Sequence, residues 1–185
     1  MTAGPPTPRE AVRPLLRVRQ VREFRTDAPV TEAELAAIAD AARWSGSSQN
    51  SQPWRFITMR EAATLRAIWE AGLPQTRSLD TASAAIGIVM PVQEGKAVAF
   101  AFDEGRAAER ILVAATLLGL GAGIAWIGSA ARPAVAELLG VPEGWSLRTV
   151  VALGHPTAAA AARKAPAGVA RLPRGETVRP ERWRE

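Results

Sequence analysis

The sequence contains no cysteine, and this excludes several kinds of site at once. Disulfide frameworks, thiolate zinc sites and cysteine nucleophiles all need that residue type. Histidine is nearly as scarce: His155 stands alone, and one histidine without cysteine or a metal-ligand spacing cannot anchor a metal ion. No Gly-x-Ser-x-Gly motif is present either, so a hydrolase triad has no support. We therefore predict neither a metal site nor a nucleophilic catalytic residue.

Lysine is also scarce, and arginine supplies nearly all of the positive charge. Lys96 and Lys164 are the only lysines, although the formal net charge is +5. The arginines are dispersed except in residues 13–25 and 171–184, and these two clusters could converge on one phosphate. No groove-entering motif or aromatic platform accompanies them. We therefore predict no nucleic-acid partner.

Neither a secretory leader nor a membrane span is predicted. Residues 1–7 lack the basic start and apolar stretch of a signal peptide. Residues 111–131 carry no charge, but glycine and alanine make up much of that run. Such a composition favours a buried helix followed by a glycine-rich turn over a membrane span. We therefore predict a cytoplasmic protein that does not cross a membrane.

What is present favours one folded domain of mixed helices and strands. The chain has 185 residues, of which 48% are hydrophobic and 22% charged. Helices are predicted from capping boxes at Thr7 and Thr31, from apolar periodicity and from helix-breaking glycine and proline residues. They cover residues 8–19, a stretch that begins at residue 31 and ends before Gly46, and residues 61–71, 103–120 and 133–139. Short apolar runs predict strands over residues 54–59, 84–92 and 147–153. Without a regular βαβ alternation, the fold class is α+β.

The C-terminal region differs in composition from the rest. After Pro156 an alanine run is followed by Pro166, Pro173 and Pro180, with few residues suited to a core. We predict a folded domain over residues 1–156 and an extended arm over residues 157–185.

Two patterns that could suggest chemistry have simpler interpretations. Asp103 and Glu104 fall where the long helix is expected to begin, and carboxylates are favoured near a helix N-terminus. The glycines of residues 119–123 resemble a dinucleotide-binding loop, but a helix precedes them and no long helix follows. We interpret these glycines as the exit from the helix.

The strongest local signal is the polar run of residues 47–54, SSQNSQPW. Its serine, glutamine and asparagine side chains offer donors and acceptors at close range, just before a predicted strand. A flat heteroaromatic ring with alternating N–H and C=O groups is a natural partner for them. A loop that satisfies its own polar groups is the alternative. The residues alone leave both interpretations open.

An ordered series of segments resembles the FMN-dependent nitroreductase family. Residues 19–24 (RQVREF) resemble its Arg-Arg-Ser-x-Arg-x-Phe segment, and residues 42–54 (ARWSGSSQNSQPW) resemble its Ala-Pro-Ser-x-x-Asn-x-Gln-Pro-Trp block. Further similar segments follow in order: residues 103–108, 119–121, 126–128, 151–156 and 171–173. Val18, Gln20 and Gly46 depart from the family pattern, where arginine, serine and proline are usual.

The resemblance implies a fold, an assembly and a cofactor. The expected fold is an α/β/α sandwich with a mixed, mainly antiparallel sheet, in a homodimer that exchanges C-terminal arms and binds FMN at its interface. Arg19, Gln20 and Arg22 would approach FMN from one subunit, with Arg171 joining at the phosphate, because guanidinium groups bind phosphate oxygens well. The remaining residues implied are Gly46, Ser47, Ser48 and Asn50 from the facing subunit, and Ile127 and Gly128 through backbone N–H groups near the ring.

The activity implied is a ping-pong oxidoreductase reaction with NAD(P)H as electron donor. A small aromatic acceptor such as a nitroaromatic or a quinone would then occupy the same place. The flavin supplies the redox chemistry, so the lack of a triad, a metal site or a dinucleotide fingerprint agrees with this function. The alternative is a flavin-binding storage or sensing protein with little turnover. The short segment between Met59 and Ala84, which leaves little chain for a lid, supports that alternative.

Overall fold

The computed structural model describes residues 6–162 and 171–183. Helices and strands mix irregularly along these stretches, as predicted. The helices are α1 Pro8–Ala11, α2 Arg13–Leu16, α3 Glu32–Arg43, α4 Ala62–Ala71, α5 Ala97–Leu117, α6 Arg132–Leu138, α7 Ala158–Ala162 and α8 Arg174–Thr177. The strands are β1 Arg55–Met59, β2 Ala84–Pro91, β3 Gly121–Trp126 and β4 Trp145–Gly154.

The described strands form one sheet in the order β1-β2-β4-β3, and every neighbouring pair is antiparallel. A parallel pairing comes from outside these strands, as an isolated bridge between Gln20 and Ala122 of β3. The prediction of a mixed, mainly antiparallel sheet is therefore confirmed.

Both faces of the sheet are covered by helices, which makes the sandwich. On one face α3 and α5 pack against Ala84, Ile86 and Ile88 of β2. On the other face α4 and α6 pack against Ala85 and Val89 of the same strand. Successive side chains of a strand point to opposite faces, so an almost wholly apolar strand is what a sheet buried on both sides requires.

The N-terminal helix is shorter than predicted. A single helix over residues 8–19 is wrong: α1 ends at Ala11 and α2 occupies Arg13–Leu16. Pro14 explains the break, because it has no N–H to donate to the carbonyl of Glu10 and its ring crowds the preceding turn. The apolar residues of this region, Leu15 and Leu16, are exposed.

The sequence interpretation missed β3 by treating its residues as a glycine-rich turn. The segment is a strand because the backbone of residues 20–22 lies against it: the Val21 N–H donates to the Ala122 carbonyl at 2.8 Å. A Cβ added to Gly123 would lie 2.2 Å from the Val21 carbonyl oxygen. Glycine is therefore needed here for the close approach of two backbones, a role that strand propensity does not reveal.

The long helix begins earlier than predicted, at Ala97 and not at Asp103. Asp103 and Glu104 lie in its second turn and are buried, with 1% and 4% of their surfaces exposed. Their interpretation as residues that open the helix is therefore wrong, and their hydrogen bonds give them another role. The glycine exit is confirmed: Gly119 has a φ of 75° just after the end of α5. Among the helices described, none has both the length and the apolar character needed to cross a membrane.

Candidate functional site

Residues 19–22 run along the outer edge of β3. The Gln20 side-chain oxygen accepts from the Ile124 N–H at 3.3 Å and from the Arg22 guanidinium at 3.0 Å. Gln20 and Arg22 are exposed, so both side chains keep polar atoms in reach of a ligand. Gln20, where the resembling family has serine, joins the N-terminal segment to the sheet.

The Arg19 guanidinium contacts the C-terminal region of its own chain. It donates to the carbonyl oxygens of Ala160 and Ala161 at 2.8 and 2.7 Å. These carbonyls belong to α7, and a cation at a helix C-terminus is favourable. Ala160 is itself buried against the α4 and α6 face. The first residues after Pro156 therefore pack on their own domain.

The polar loop of residues 46–52 is ordered by a buried carboxylate. The Ser48 N–H donates to both carboxylate oxygens of Asp103, at 3.2 and 3.1 Å. Within the loop, the Gln52 N–H donates to the Ser47 hydroxyl oxygen at 2.9 Å. The predicted residues Gly46, Ser47, Ser48 and Asn50 thus lie in one loop, and the sequence interpretation missed the residue that holds it.

The backbone of this loop is held in an uncommon conformation. Gln49, Asn50 and Gln52 have φ values of 50°, 54° and 46°. Positive φ is rare for residues other than glycine and persists only where surrounding contacts impose it. The Gln52 amide donates to the Asn50 side-chain oxygen at 3.3 Å, which leaves most of the polar capacity of these exposed side chains unused.

Gly46 makes room for an arginine. A Cβ at this position would lie 2.0 Å from a terminal nitrogen of Arg106. Arg106 also lies 3.8 Å from the Asp103 carboxylate, which it helps to compensate. At this position, where proline is usual in the resembling family, the guanidinium at the end of the flexible Arg106 side chain occupies the space beside the residue.

Just after the end of β3, Ile127 and Gly128 differ in whether their backbone N–H groups are available to a ligand. The Ile127 N–H already donates to the Arg148 carbonyl at 2.7 Å, and the Ile127 side chain is fully buried. The Gly128 N–H has no acceptor in the described part of the chain, and an added Cβ there would meet nothing within 4 Å. Gly128 is thus the residue of the pair that can offer its N–H to a ligand.

A second arrangement of charged residues lies beside Gly128 and was not predicted. Arg148 of β4 donates to the buried carboxylate of Glu104, and its guanidinium carbon lies 5.9 Å from the Trp126 ring centre. Arg132 lies at the same distance from that ring and donates to the Ile127 carbonyl at 3.1 Å. A lone charged residue, Arg148, inside a strand is the sequence signal that could have found this cluster.

The structure does not bring Arg171 to the other predicted residues. This residue is exposed and makes no hydrogen bond or ion pair within residues 6–162 and 171–183. Residues 163–170, the first half of the predicted arm, lie outside the described residues, as do residues 184–185. Within the described ranges, no group of histidine and carboxylate side chains is arranged to hold a metal ion.

One exposed surface along α5 carries large apolar side chains. Phe102 and Leu117 of this helix are 68% and 65% exposed. Phe102 and Leu117 line a groove of about 840 Å³ along α5, together with Leu15 of α2. We call this surface the α5 face. Large contiguous apolar surfaces mark sites of interaction.

Comparison with known proteins agrees with this geometry. The model of the nitroreductase family matches residues 17–90 and 80–155, which include the polar loop, β3 and Gly128. A protein of Archaeoglobus fulgidus with the provisional name NADH dehydrogenase/NAD(P)H nitroreductase is 34% identical over 144 residues, covering 75% of this chain and 80% of that protein.

Solved structures show the same fold. The FMN-dependent nitroreductase of Clostridium difficile superposes with a TM-score of 0.71 at 24% identity, covering 77% of this chain and 86% of that one. The NADPH:FMN oxidoreductase of Vibrio harveyi, solved with NAD+, gives a TM-score of 0.75 at 21% identity, covering 94% and 78%. The resemblance found in the sequence is confirmed, and the chain belongs to the nitroreductase family.

Proposed function

We propose that this protein is an FMN-dependent oxidoreductase that uses NAD(P)H to reduce small aromatic acceptors such as nitroaromatics and quinones. The observation that carries the proposal is the polar loop of residues 46–52, which the buried Asp103 carboxylate orders in a rare backbone conformation. Family membership and the names of its relatives support the same activity. The use of NAD(P)H supports the cytoplasm as its compartment.

The residues present fit a flavin mononucleotide. Ser47, Ser48 and Asn50 offer hydroxyl, backbone and amide groups suited to a ring edge with alternating donors and acceptors. The Gly128 N–H is free within the described residues, and an added Cβ at this glycine would meet nothing within 4 Å, so a ring could approach the residue closely. FMN, when bound, supplies the ring that accepts hydride from NAD(P)H.

The phosphate end would be held by arginines. We propose Arg19, Arg22 and Arg171 for this role, with Gln20 placing the segment against β3. The hydrogen bonds of Arg19 to α7 support a path by which the C-terminal region reaches this end of the site. Guanidinium groups stay charged at any physiological pH and bind phosphate bidentately.

The protein supplies orientation and a shaped surface, and no general acid or base is needed from the chain. The loop of residues 46–52 and the Gly128 N–H would fix one orientation of the ring. NAD(P)H and the acceptor would stack on the same exposed surface in turn, which is a ping-pong order. Because flat molecules can share this surface, we expect broad acceptor use among small aromatics.

We propose a homodimer formed through the α5 face. Its exposed phenylalanine and leucine side chains favour burial against a second copy. An interface between two such copies must bury well over about 1,000 Å² in total to be stable. We further propose residues 1–156 as the flavin-binding domain and residues 157–185 as a C-terminal arm, of which the part beyond α7 packs on the partner. The exposure of Leu172 and Trp183, 64% and 77%, supports such an arm.

The test is to purify the protein, measure its flavin absorbance and mix it without oxygen with NADH and with NADPH. We expect yellow protein that is bleached rapidly by at least one donor and recovers its colour when a nitroaromatic or quinone is added. Colourless protein that takes up no added FMN would contradict the proposal. Flavin that binds but is bleached too slowly for turnover would favour storage or sensing.

A further inference from the structure

We propose that Arg132 and Arg148, fixed by Trp126, form a binding subsite for an anionic group carried by one of the substrates. The subsite lies beside Gly128, and its ligand is a phosphate or carboxylate group. This inference rests on the proposed function, because it assigns specificity to the same site. The anionic group could be the ribose phosphate of NADPH or a carboxylate on an aromatic acceptor.

A β-bulge gives Arg148 its position. In the pairing of β2 with β4, Ile88 pairs with Thr149 but Val89 pairs with Leu147, so Arg148 is the extra residue. Regular alternation would point residue 148 to the α4 and α6 face, together with Val150. The bulge turns the side chain towards α5 instead, where Glu104 lies. Bulges recur next to active sites because they re-aim a side chain.

The charges of the cluster are only partly compensated. Glu104 binds Arg148, whereas Arg132 makes no ion pair within the described residues. A cavity of about 170 Å³ lies between the two arginines, and its lining contains no carboxylate. Ser146 and Gln93 add neutral polar groups to the same lining. The cavity is therefore positive, and an anion would be its natural occupant.

Trp126 restricts where the guanidinium groups can go. Its ring is 45% exposed, and each of the two guanidinium carbons lies 5.9 Å from the ring centre. Contact with the face of an indole is favourable for arginine and limits the side-chain freedom that would otherwise be lost when a ligand binds. Together with the bond from Arg132 to the Ile127 carbonyl and the bond from Arg148 to Glu104, the ring restricts both guanidinium groups before a ligand binds.

The cluster is joined directly to the proposed ring site. Ile127 precedes Gly128, and both its carbonyl and its N–H form hydrogen bonds with arginines of this cluster. Its carbonyl accepts from the Arg132 side chain at 3.1 Å, and its N–H donates to the Arg148 carbonyl at 2.7 Å. An anionic group in the cavity would therefore belong to a molecule that also reaches the surface near Gly128.

The experiment measures equilibrium binding of unreactive probes to the flavin-loaded protein by calorimetry. One pair of probes is adenosine 2′,5′-bisphosphate and adenosine 5′-phosphate, which differ by the ribose phosphate. The other pair is benzoate and benzamide, which differ by the carboxylate charge. We expect one pair to bind with a clear preference for the more anionic member, and that pair identifies the source of the group.

Arg132→Gln should remove this preference. We expect the Kd of the favoured probe to rise about tenfold, the usual scale of a lost charge-assisted hydrogen bond, while its less anionic counterpart changes less than about twofold. Arg132→Lys keeps the charge and should restore part of the affinity. The matched control is Arg66→Gln, because Arg66 also contacts a tryptophan ring, at 4.1 Å, and an acidic residue, yet lies on α4 away from the cavity.

Two results would overturn the subsite: no preference in either pair of probes, or a preference that survives in Arg132→Gln. Neither result would contradict the proposed function, because that function is tested separately, by the flavin content of the same preparation and by its bleaching with NAD(P)H. A protein without flavin would contradict the proposed function, and the probes could still be titrated against it to test the cavity alone.

Discussion

The polar loop of residues 46–52 and the arginine cluster beside Gly128 are held by adjacent residues of α5, yet they are built differently. Asp103 accepts from the loop backbone at Ser48, and Glu104 binds Arg148. The loop is one continuous segment ordered by one carboxylate. The cluster instead takes its residues from β3, β4, α5 and α6. A site within one segment is visible in the sequence, whereas a site assembled from several elements depends on register.

The two carboxylates also differ in what they stabilise. Asp103 orders a loop of exposed and half-buried residues that lies outside the hydrophobic core. Glu104 compensates an arginine that is three-quarters buried, with its side chain 25% exposed. We therefore expect substitutions of Asp103 to act mainly on cofactor affinity and substitutions of Glu104 mainly on stability.

Glu104→Gln has the largest expected effect. Removing one charge of a buried pair leaves the other uncompensated, and because Arg148 retains partial solvent contact we expect a loss of about 2 to 3 kcal/mol in the free energy of unfolding. Urea unfolding of the flavin-free protein measures it. The control is Glu70→Gln, which breaks an ion pair to Arg66 with both side chains 58% exposed and should cost less than about 0.5 kcal/mol. Equal losses in the two variants would contradict the assigned role of Glu104.

Asp103→Asn should have the next largest effect, on FMN affinity. The loop N–H of Ser48 would bond to a neutral oxygen, and the weaker bond should raise the Kd of FMN roughly tenfold. Fluorescence titration of the flavin-free protein measures it. Asp40→Asn, which affects only a surface pair with Arg43, is the control and should leave the Kd unchanged. If Asp103→Asn binds FMN as tightly as the unsubstituted protein, the loop does not serve the cofactor.

Thr31→Ala should have a smaller effect and leave both regions intact. The Thr31 hydroxyl caps α3, and its loss should cost about 1 kcal/mol in unfolding free energy without changing the Kd of FMN. Thr7→Ala is a matched control, since Thr7 forms the same capping box on α1, a helix of four residues without a buried side chain. We expect no measurable loss there. A changed FMN affinity in Thr31→Ala would show that the core and the loop are not separable.

The same capping box predicts a dependence on pH. Backbone and side-chain hydrogen bonds from Thr31 hold the pKa of Glu34 below its ordinary value. A carboxyl group whose pKa is lowered by folding stabilises the protein above its unfolded pKa, and that contribution disappears as the pH falls through the lowered value. The difference between Thr31→Ala and the unsubstituted protein should therefore shrink in acid. An unchanged difference at low pH would mean that the Glu34 carboxylate plays no part in the cap.

The sequence predicts those parts of the molecule whose signals are local. The capping box at Thr31, the apolar face of α3 and the buried strand β2 were confirmed because each depends on spacing within one segment. Pro14 was also a local signal, and overlooking it led to the single N-terminal helix. The position of β3 could not be read locally, because Gly123 is glycine for the sake of the Val21 backbone, which is distant in sequence.

The same distinction between local and distant signals applies to the candidate site. The polar loop stood out from its residues, but only the family resemblance favoured a flavin over a loop that satisfies its own polar groups. Asp103 was assigned to the wrong role because the start of α5 was placed too late. The Arg148 cluster needed knowledge of the bulge, since the shift by one residue decides which face an arginine reaches. Contributions from a second subunit could be implied only by family resemblance, and they stay predictions.

The proposed function depends most on the binding of FMN between two copies of this chain. Sedimentation velocity with detection in both the protein and the flavin absorbance bands tests this claim directly, using the flavin-loaded protein. We expect the flavin to sediment with a dimer at one FMN per chain, and Leu117→Asp on the α5 face to release both the partner and the flavin. A monomer that carries flavin, or a dimer that binds none, would contradict the account.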